Sequence, residues 1–245
     1  MKIAILGAAG RMGQMLCNLA SQNPEFESVV KCDIVDGYEK TWPENTDAVI
    51  DFTFHSAVPA NIARAVETKS AYVLGTTGLT AEEEQAVTDA ATKIPVVKSA
   101  NMSLGVNLLL DLVRRAAAVL GTDYDIEVVE MHHRLKKDAP SGTALMLANA
   151  AADGRNVKLE DVACYGREGL VGERPEGEIA LHALRGGSVV GDHTVMYASN
   201  VERIEITHKA QSREAFAAGA LRAAIWAKGK DAKIYSMRDV LNLND

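Results

Sequence analysis

Through the first hundred positions, short apolar runs alternate with amphipathic stretches. Lys2–Leu6, Ser28–Asp33, Ala48–Phe52, Ala71–Leu74 and Ile94–Val97 read as five strands. Between the first two, Met15, Leu16, Leu19 and Ala20 recur at helical spacing until Asn23-Pro24 stops them. Ser56 is placed to cap a helix running through Val66, and Thr80 with Glu83 forms a capping box for a helix to about Thr92. Short apolar strands alternating with such helices predict a parallel sheet covered on both faces. Ser103–Leu120 is helical and apolar on nearly every side, which predicts burial between two layers.

Beyond Gly121 the period changes. Tyr124–Met131 alternates as a strand, Val157–Ala163 reads as another, and Ile179–Leu184 is apolar-rich. Gly186-Gly187 reads as a two-residue hairpin turn into 188–198, and Val201–Thr207 alternates cleanly. Only one helix, Thr143–Ala151, interrupts these strands. They predict a mixed or antiparallel sheet with one face covered and an apolar second face available to other subunits. Arg213–Ala227 is again an amphipathic helix, and Ser236 with Asp239 forms a second capping box in a short tail expected to dock on an existing layer. The predicted class is α/β: a Rossmann-like parallel-sheet domain from 1–103 and 213–245, plus an α+β domain at 104–212 with a mixed, largely open-faced sheet. The first would bind a dinucleotide, the second a substrate and neighbouring subunits.

Composition narrows the function. With 47% hydrophobic and 24% charged residues, the chain is globular rather than disordered. Its net charge of -7 argues against a nucleic-acid surface. Asp111, Arg114 and Arg115 interrupt the most apolar segment, which argues against a membrane span. The N-terminal run is too short and too glycine-rich for a secretory signal. The three cysteines, Cys17, Cys32 and Cys164, form no CxxC pair, so the expected setting is a reducing cytoplasm.

Two stretches carry chemistry. The first is GAAGRMG at 7–13, between a strand and a helix, with an acid, Asp33, about 20 residues on. Gly7 suits a tight turn, Gly10 a close approach to a pyrophosphate and Gly13 close helix–strand packing, while the helix start offers N–H groups to phosphates. GTTG at 75–78 and SANMS at 99–103 fall at the same carboxyl ends of strands, where such sheets bind ligands. The second stretch is EMHHRLKKDAPSGTA at 130–144. Glu130 and His132 would face one side of a strand, Met131 and His133 the other. Pro140 then fixes the backbone, and Ser141-Gly142-Thr143 starts a helix with free N–H groups and two hydroxyls, a receptor for carboxylate or phosphate. Lys136 is close enough to reach the same anion. An unperturbed imidazole titrates near about 6.5, so His132 or His133 can exchange a proton near neutrality, although either ring also suits a purely structural or solvent-facing role. Adjacent histidines at a strand end rarely converge on one ion, so no metal site is expected; a composite of His182, His193 and His208 stays open as an alternative. A nucleotide crevice, an anion receptor and a proton donor together point to a reductase.

With these motifs the chain resembles the dihydrodipicolinate reductase family over essentially its whole length. The resemblance rests on GAAGRMG, DFT at 51–53, GTTG, NMSLGVN at 101–107, the 130–144 block and THKAQSR at 207–213. It implies reduction of 4-hydroxy-tetrahydrodipicolinate, a cyclic dicarboxylate, to tetrahydrodipicolinate with NADH or NADPH, in diaminopimelate and lysine synthesis. It also implies a homotetramer built through the second domain's sheet, and closure of the two domains with hinges near Ser103 and Arg213. By resemblance His132 is the general acid/base, Lys136 the proton donor, and His133, Lys136, Ser141, Gly142 and Thr143 the substrate carboxylate site. Gly7, Ala9, Gly10, Arg11, Met12 and Gly13 would hold the pyrophosphate end, Asp33 the ribose, and Gly75, Thr76 and Thr77 the nicotinamide side. Phe52, Ala100, Asn101, Met102 and Arg213 would complete the cofactor's surroundings. Leu135 stands where some relatives carry a further histidine, and the short 34–47 span implies a smaller wall beside the adenosine. The rivals are another two-domain dehydrogenase of an amino-acid-derived substrate and a nucleotide-sensing protein without catalysis.

Overall fold

Ile3 and Ile5 on β1 (Lys2–Leu6) enter one apolar cluster and Ala4 and Leu6 another, and all four are buried. That double burial is what a parallel sheet sandwiched between helices requires. The computed structural model describes residues 1–243, which form two compact units, 1–104 with 213–243, and Gly105–Ser212.

In the first unit β1, β2 (Ser28–Cys32), β3 (Ala48–Asp51), β4 (Ala71–Leu74) and β5 (Pro95–Lys98) all pair in parallel. A three-residue strand that no periodicity announced, β11 (Lys233–Tyr235), adds a sixth, giving the order β11-β5-β4-β3-β1-β2. One face carries α1 (Arg11–Ser21) and α7 (Glu214–Ala227), the other α2 (Val58–Glu67) and α3 (Ala81–Ala91). Helix α7 can lie close because its inner side is small: Ala217, Ala220, Ala223, Ala224 and Ala227 are all fully buried. The tail helix α8 (Met237–Leu241) docks through Met237 and Val240. Both capping boxes form, at Thr80 with Glu83 and at Ser236 with Asp239. Ser56 does not cap α2; it lies inside a 3-10 turn at His55–Ala57, and the N-cap position is Ala57.

In the second unit α4 (Leu104–Leu120) and α5 (Gly142–Gly154) pack on a mixed sheet of order β10-β9-β6-β8-β7. The strands are β6 (Asp125–His132), β7 (Ala163–Tyr165), β8 (Ile179–Arg185), β9 (Asp192–Ala198) and β10 (Arg203–Lys209). Four expectations need correction here. The 157–163 stretch is mostly a short helix, α6 (Leu159–Val162), with only Leu159 buried and Glu160 and Asp161 favouring its first turn. Gly186-Gly187 closes no hairpin, because β6 lies between β8 and β9, parallel to one and antiparallel to the other. Helix α4 is one-sided: Val113 and Ala117 are buried, but Leu108, Leu112 and Val119 are exposed. The sheet face away from the helices is less apolar than expected. Beside Val129 and Leu184 it carries Glu127, bonded to Arg167, Arg174 and His182.

Gly13 shows how tightly α1 meets the strand before it. A Cβ there would lie 2.6 Å from Ala8 Cα and closer still to the Gly7 carbonyl oxygen. Backbone cannot yield as a flexible side chain does, so Gly13→Ala is expected to cost at least about 2 kcal/mol. For a chain of this size that lowers Tm by roughly 4–8 °C, readable in a thermal melt.

Candidate functional site

In the first unit, the candidate site is the turn between β1 and α1. Gly7 has φ +77°, a left-handed conformation that glycine adopts without cost, and its N-terminal turn closes through the Gly10 N–H on the Gly7 carbonyl at 3.0 Å. No side chain caps α1, and its first turn carries no acidic residue, so the amides of Arg11, Met12 and Gly13 start a helix with its positive dipole end unopposed. Asp33 follows directly after β2. Its Oδ2 accepts the Ala9 N–H at 2.9 Å and its Oδ1 the Val35 N–H at 3.2 Å, so the acid is tied to the glycine turn with acceptor capacity remaining.

Behind this turn lies Asp51, the last residue of β3 and fully buried. Its carboxylate accepts from Thr53 N–H and Oγ1 (2.8 and 2.6 Å), Thr76 Oγ1 (3.2 Å), Asn61 Nδ2 (2.9 Å) and the Tyr72 hydroxyl. Burial first, then the adjacent Asp51, pushes the Tyr72 phenol well above its usual range, so it stays a donor. One carboxylate thus ties together the loops after β3 and β4. Thr76 is buried by this role and turns toward Asp51 rather than outward. In front of these loops is a cavity of about 350 Å³. Arg11, Met12, Phe52, Gly75 and Thr77 line it, joined by Ala100, Asn101 and Met102 before α4 and by Arg213 before α7. Ser99, the first residue of the SANMS stretch, lines it too, as does Phe216, which sequence reasoning did not single out. Asp33, Ala9 and the three glycines of the turn are outside this lining.

These features fit a dinucleotide. The positive φ at Gly7, the uncapped helix start and an oriented carboxylate after β2 match pyrophosphate and ribose, and the cavity lies at the carboxyl ends of the strands.

In the second unit, the candidate residues gather at the end of β6. Ile126, Val128, Glu130 and His132 alternate onto the covered face of the sheet, the first two in the core and the last two at its polar end. Glu130 is 1% exposed. Its Oε2 pairs with His132 Nδ1 at 2.6 Å and Arg185 Nη1 at 2.8 Å, while its Oε1 accepts Arg185 Nη2 at 2.9 Å and the Ser141 N–H at 3.0 Å. Burial pushes the Glu130 carboxyl up, but the bonds from Arg185, His132 and Ser141 outweigh it and hold the group below its usual value. Ser141 caps α5 by accepting the Ala144 N–H at 3.1 Å, and its hydroxyl also meets His193 Nε2 at 3.1 Å. The expectation of free amides is therefore corrected in part: the Ser141 N–H belongs to Glu130, whereas Gly142 begins the helix and is exposed.

Lys136 lies in the loop between β6 and α5, with Nζ 2.9 Å from both oxygens of Asp138. That bond holds the Asp138 carboxyl below its usual range. His133 follows the strand's end; its N–H donates to the Val189 carbonyl, and its Nδ1 is buried without a hydrogen-bond partner among the described residues. Such an orphaned atom fits a contact to a ligand. Thr143 is half-buried in the first turn of α5. His193 sits edge-on to His132 at 5.1 Å, and burial, then the nearby His132, pushes it down to about 4, so it is neutral near pH 7. His182 is not with them; it pairs with Glu127 on the opposite face. Arg185 and Glu130 were missed as site residues. The alternation of β6 put Glu130 beside His132, but Arg185 comes opposite His132 only through the β6–β8 register.

The sequence matches two family models, "Dihydrodipicolinate reductase, N-terminus" over residues 1–102 and "Dihydrodipicolinate reductase, C-terminus" over residues 105–241. It is 47% identical to a 4-hydroxy-tetrahydrodipicolinate reductase of Akkermansia muciniphila, over 99% of this chain and 98% of the relative. Identity to the enzyme of the same name from Zymomonas mobilis is 48%, over 99% and 97%. A solved structure of a dipicolinate-bound dihydrodipicolinate reductase from Paenisporosarcina sp. TG-14 has the same fold, with TM-score 0.77 at 23% identity over 96% of this chain and 97% of that one.

Proposed function

Because the chain belongs to the dihydrodipicolinate reductase family, we propose that it reduces 4-hydroxy-tetrahydrodipicolinate to tetrahydrodipicolinate with NADH or NADPH. The observation that carries this reading is the end of β6, where a histidine held by a buried glutamate, a lysine and the start of α5 meet in one loop. A cyclic dicarboxylate needs cations and helix-start amides for its two carboxylates, and the relative from Paenisporosarcina binds such a molecule, dipicolinate.

In the net reaction the ring gains a hydride and a proton, and the 4-hydroxyl leaves as water. The nicotinamide, when bound, supplies the hydride. Lys136 and the Gly142 amide bind carboxylate, with the His133 ring and Thr143 hydroxyl completing that grip. Lys136 also gives the proton, and His132 exchanges one through its outer nitrogen. Asp33 accepts from the adenosine ribose, the α1 amides bind the pyrophosphate, and Asp51 holds Thr53 and Thr76 so that the loops beside the nicotinamide keep their shape. A homotetramer formed through the uncovered sheet face of the second unit, in a cytoplasmic setting, belongs to the same reading. Among the described residues no helix is long and apolar enough to cross a membrane.

The test is NADH oxidation, followed by absorbance, with the substrate generated in place by its synthase. Turnover dependent on that synthase is the expected result. Nucleotide binding without turnover would indicate a sensor, and oxidation dependent on another amino-acid-derived substrate would indicate a different dehydrogenase.

A further inference from the structure

Glu130 makes more contacts than a core-facing strand residue needs, and each of them ends on a group of the site. Its carboxylate is an acceptor only, so the Nδ1 that faces it carries the proton in either charge state of His132. That leaves Nε2 as the nitrogen that exchanges. The space in front of Nε2 is kept open by Gly191, where a Cβ would come within 3.0 Å of it. Arg185 grips both oxygens of Glu130 and also donates to the Asp138 carbonyl at 2.8 Å. It stands opposite His132 in the β6–β8 register.

We propose that Glu130 and Arg185 are positioning residues that act as an opposed pair on His132. Glu130 fixes the tautomer and aims Nε2, while Arg185 offsets the carboxylate charge so that the imidazole keeps a proton it can still release. The idea deepens the proposed reductase reading and rests on His132 being its acid/base. A buried glutamate without its arginine would make His132 a strong ion-pair partner and trap the proton. A neutral residue at 130 would leave the ring facing Arg185 and release the proton too early. Other charged or titratable groups around the ring are His193 on β9 and Lys136 with Asp138 in the loop after β6; His208 on β10 stands beyond His193. None of these reaches Nδ1, whose partner is Glu130.

The same carboxylate also receives the Ser141 N–H, which starts the helix expected to bind substrate. A change at Glu130 therefore disturbs both the acid/base and the carboxylate grip, whereas a change at Arg185 leaves the Ser141 N–H with Glu130 and removes the opposing charge together with the bond to the Asp138 carbonyl.

The experiment measures the full-length enzyme in two ways: the pH profile of kcat/KM, and the titration of the His132 ring by NMR, assigned by the signal lost in His132→Asn. Glu130→Gln is expected to displace the His132 titration to lower pH by about one unit or more, and Arg185→Gln to displace it to higher pH by a similar amount. Glu130→Asp, which keeps the charge, should recover part of the wild-type midpoint. Displacements of the same sign in both variants, or none in either, would overturn the proposal while leaving the reductase reading intact. If His132→Asn keeps the wild-type pH limb and turnover, the assignment of His132 fails and the proposal with it. Should Glu130→Gln not fold, Arg185→Gln decides the matter, since simple loss of packing around the ring has no reason to raise its affinity for a proton.

Discussion

Lys136→Ala is expected to lower kcat by about a hundredfold or more and to raise KM for the dicarboxylate, with NADH binding as before. One side chain is being asked to do two things, and the arrangement around it permits both. Its Nζ is shared evenly by the two oxygens of Asp138, but that partner is 66% exposed. Exposed pairs contribute about 0–1 kcal/mol, so a substrate carboxylate competes for Nζ at little cost. The ammonium stem itself is only 18% exposed, which keeps the donor in place while its partner is exchanged. Lys136→Arg separates the two roles. A guanidinium keeps the charge, so KM should recover in part, but it does not surrender a proton near neutrality, so kcat should stay low. Steady-state kinetics in substrate, with a direct titration of NADH, decide the outcome. Near-normal kcat in the alanine variant would remove Lys136 from the chemistry, and recovery of kcat in the arginine variant would reduce its role to charge.

The two units were legible in the sequence to different depths, for physical reasons. In the first, the central strands β1, β3 and β4 are buried on both sides, so an apolar run such as Ile3–Leu6 or Ala48–Ile50 announces itself without ambiguity. Only β11 escaped, since Lys233–Tyr235 is too short to show a period and pairs with β5 from far along the chain. In the second, apolar alternation identified β6, β8 and β10 as strands but not their neighbours. A Gly-Gly between two apolar runs implies a turn; it does not exclude a third strand between them, and β6 occupies that place. The site divides in the same way. Helix starts and glycine turns are local, so Gly7–Gly13 and Ser141–Thr143 were visible as motifs. The partners that set their chemistry are not local. Arg185 reaches Glu130 across 55 positions, and Tyr72 reaches Asp51 across 21. Even the local motif misled at one atom, because the Ser141 amide looked free until the fold brought Glu130 to it.

Cofactor choice follows from the same kind of non-local detail, and both nucleotides are expected to serve, NADH better than NADPH. A carboxylate after the second strand favours a free ribose 2′-hydroxyl, whereas a 2′-phosphate needs a cation. Asp33 is oriented by the Ala9 and Val35 amides, with lone pairs left for hydroxyls. None of residues 34–37 is basic, yet Lys40 folds back over this loop and donates to the carbonyls of Ile34 and Val35, both at 2.8 Å. Its charge is thus beside the ribose position but engaged, and its side chain is 57% exposed, so it can turn to a phosphate only by giving up those bonds. Arg11 stands apart from Lys40, lining the cavity with Phe52 and Gly75. Asp33→Ala removes the repulsion and the hydroxyl acceptor together, and should move the ratio of kcat/KM toward NADPH by about tenfold or more, the equivalent of roughly 1.4 kcal/mol. Adding Lys40→Ala to that variant should withdraw most of the gain, and raising the ionic strength should weaken it, because an exposed lysine is screened. The measurement is the NADH to NADPH ratio of kcat/KM in the parent and both variants at fixed salt. An NADPH preference in the unmutated protein would mean that Lys40 or Arg11, rather than Asp33, governs the choice; a double variant as NADPH-tolerant as Asp33→Ala alone would clear Lys40 and leave Arg11 as the cation responsible.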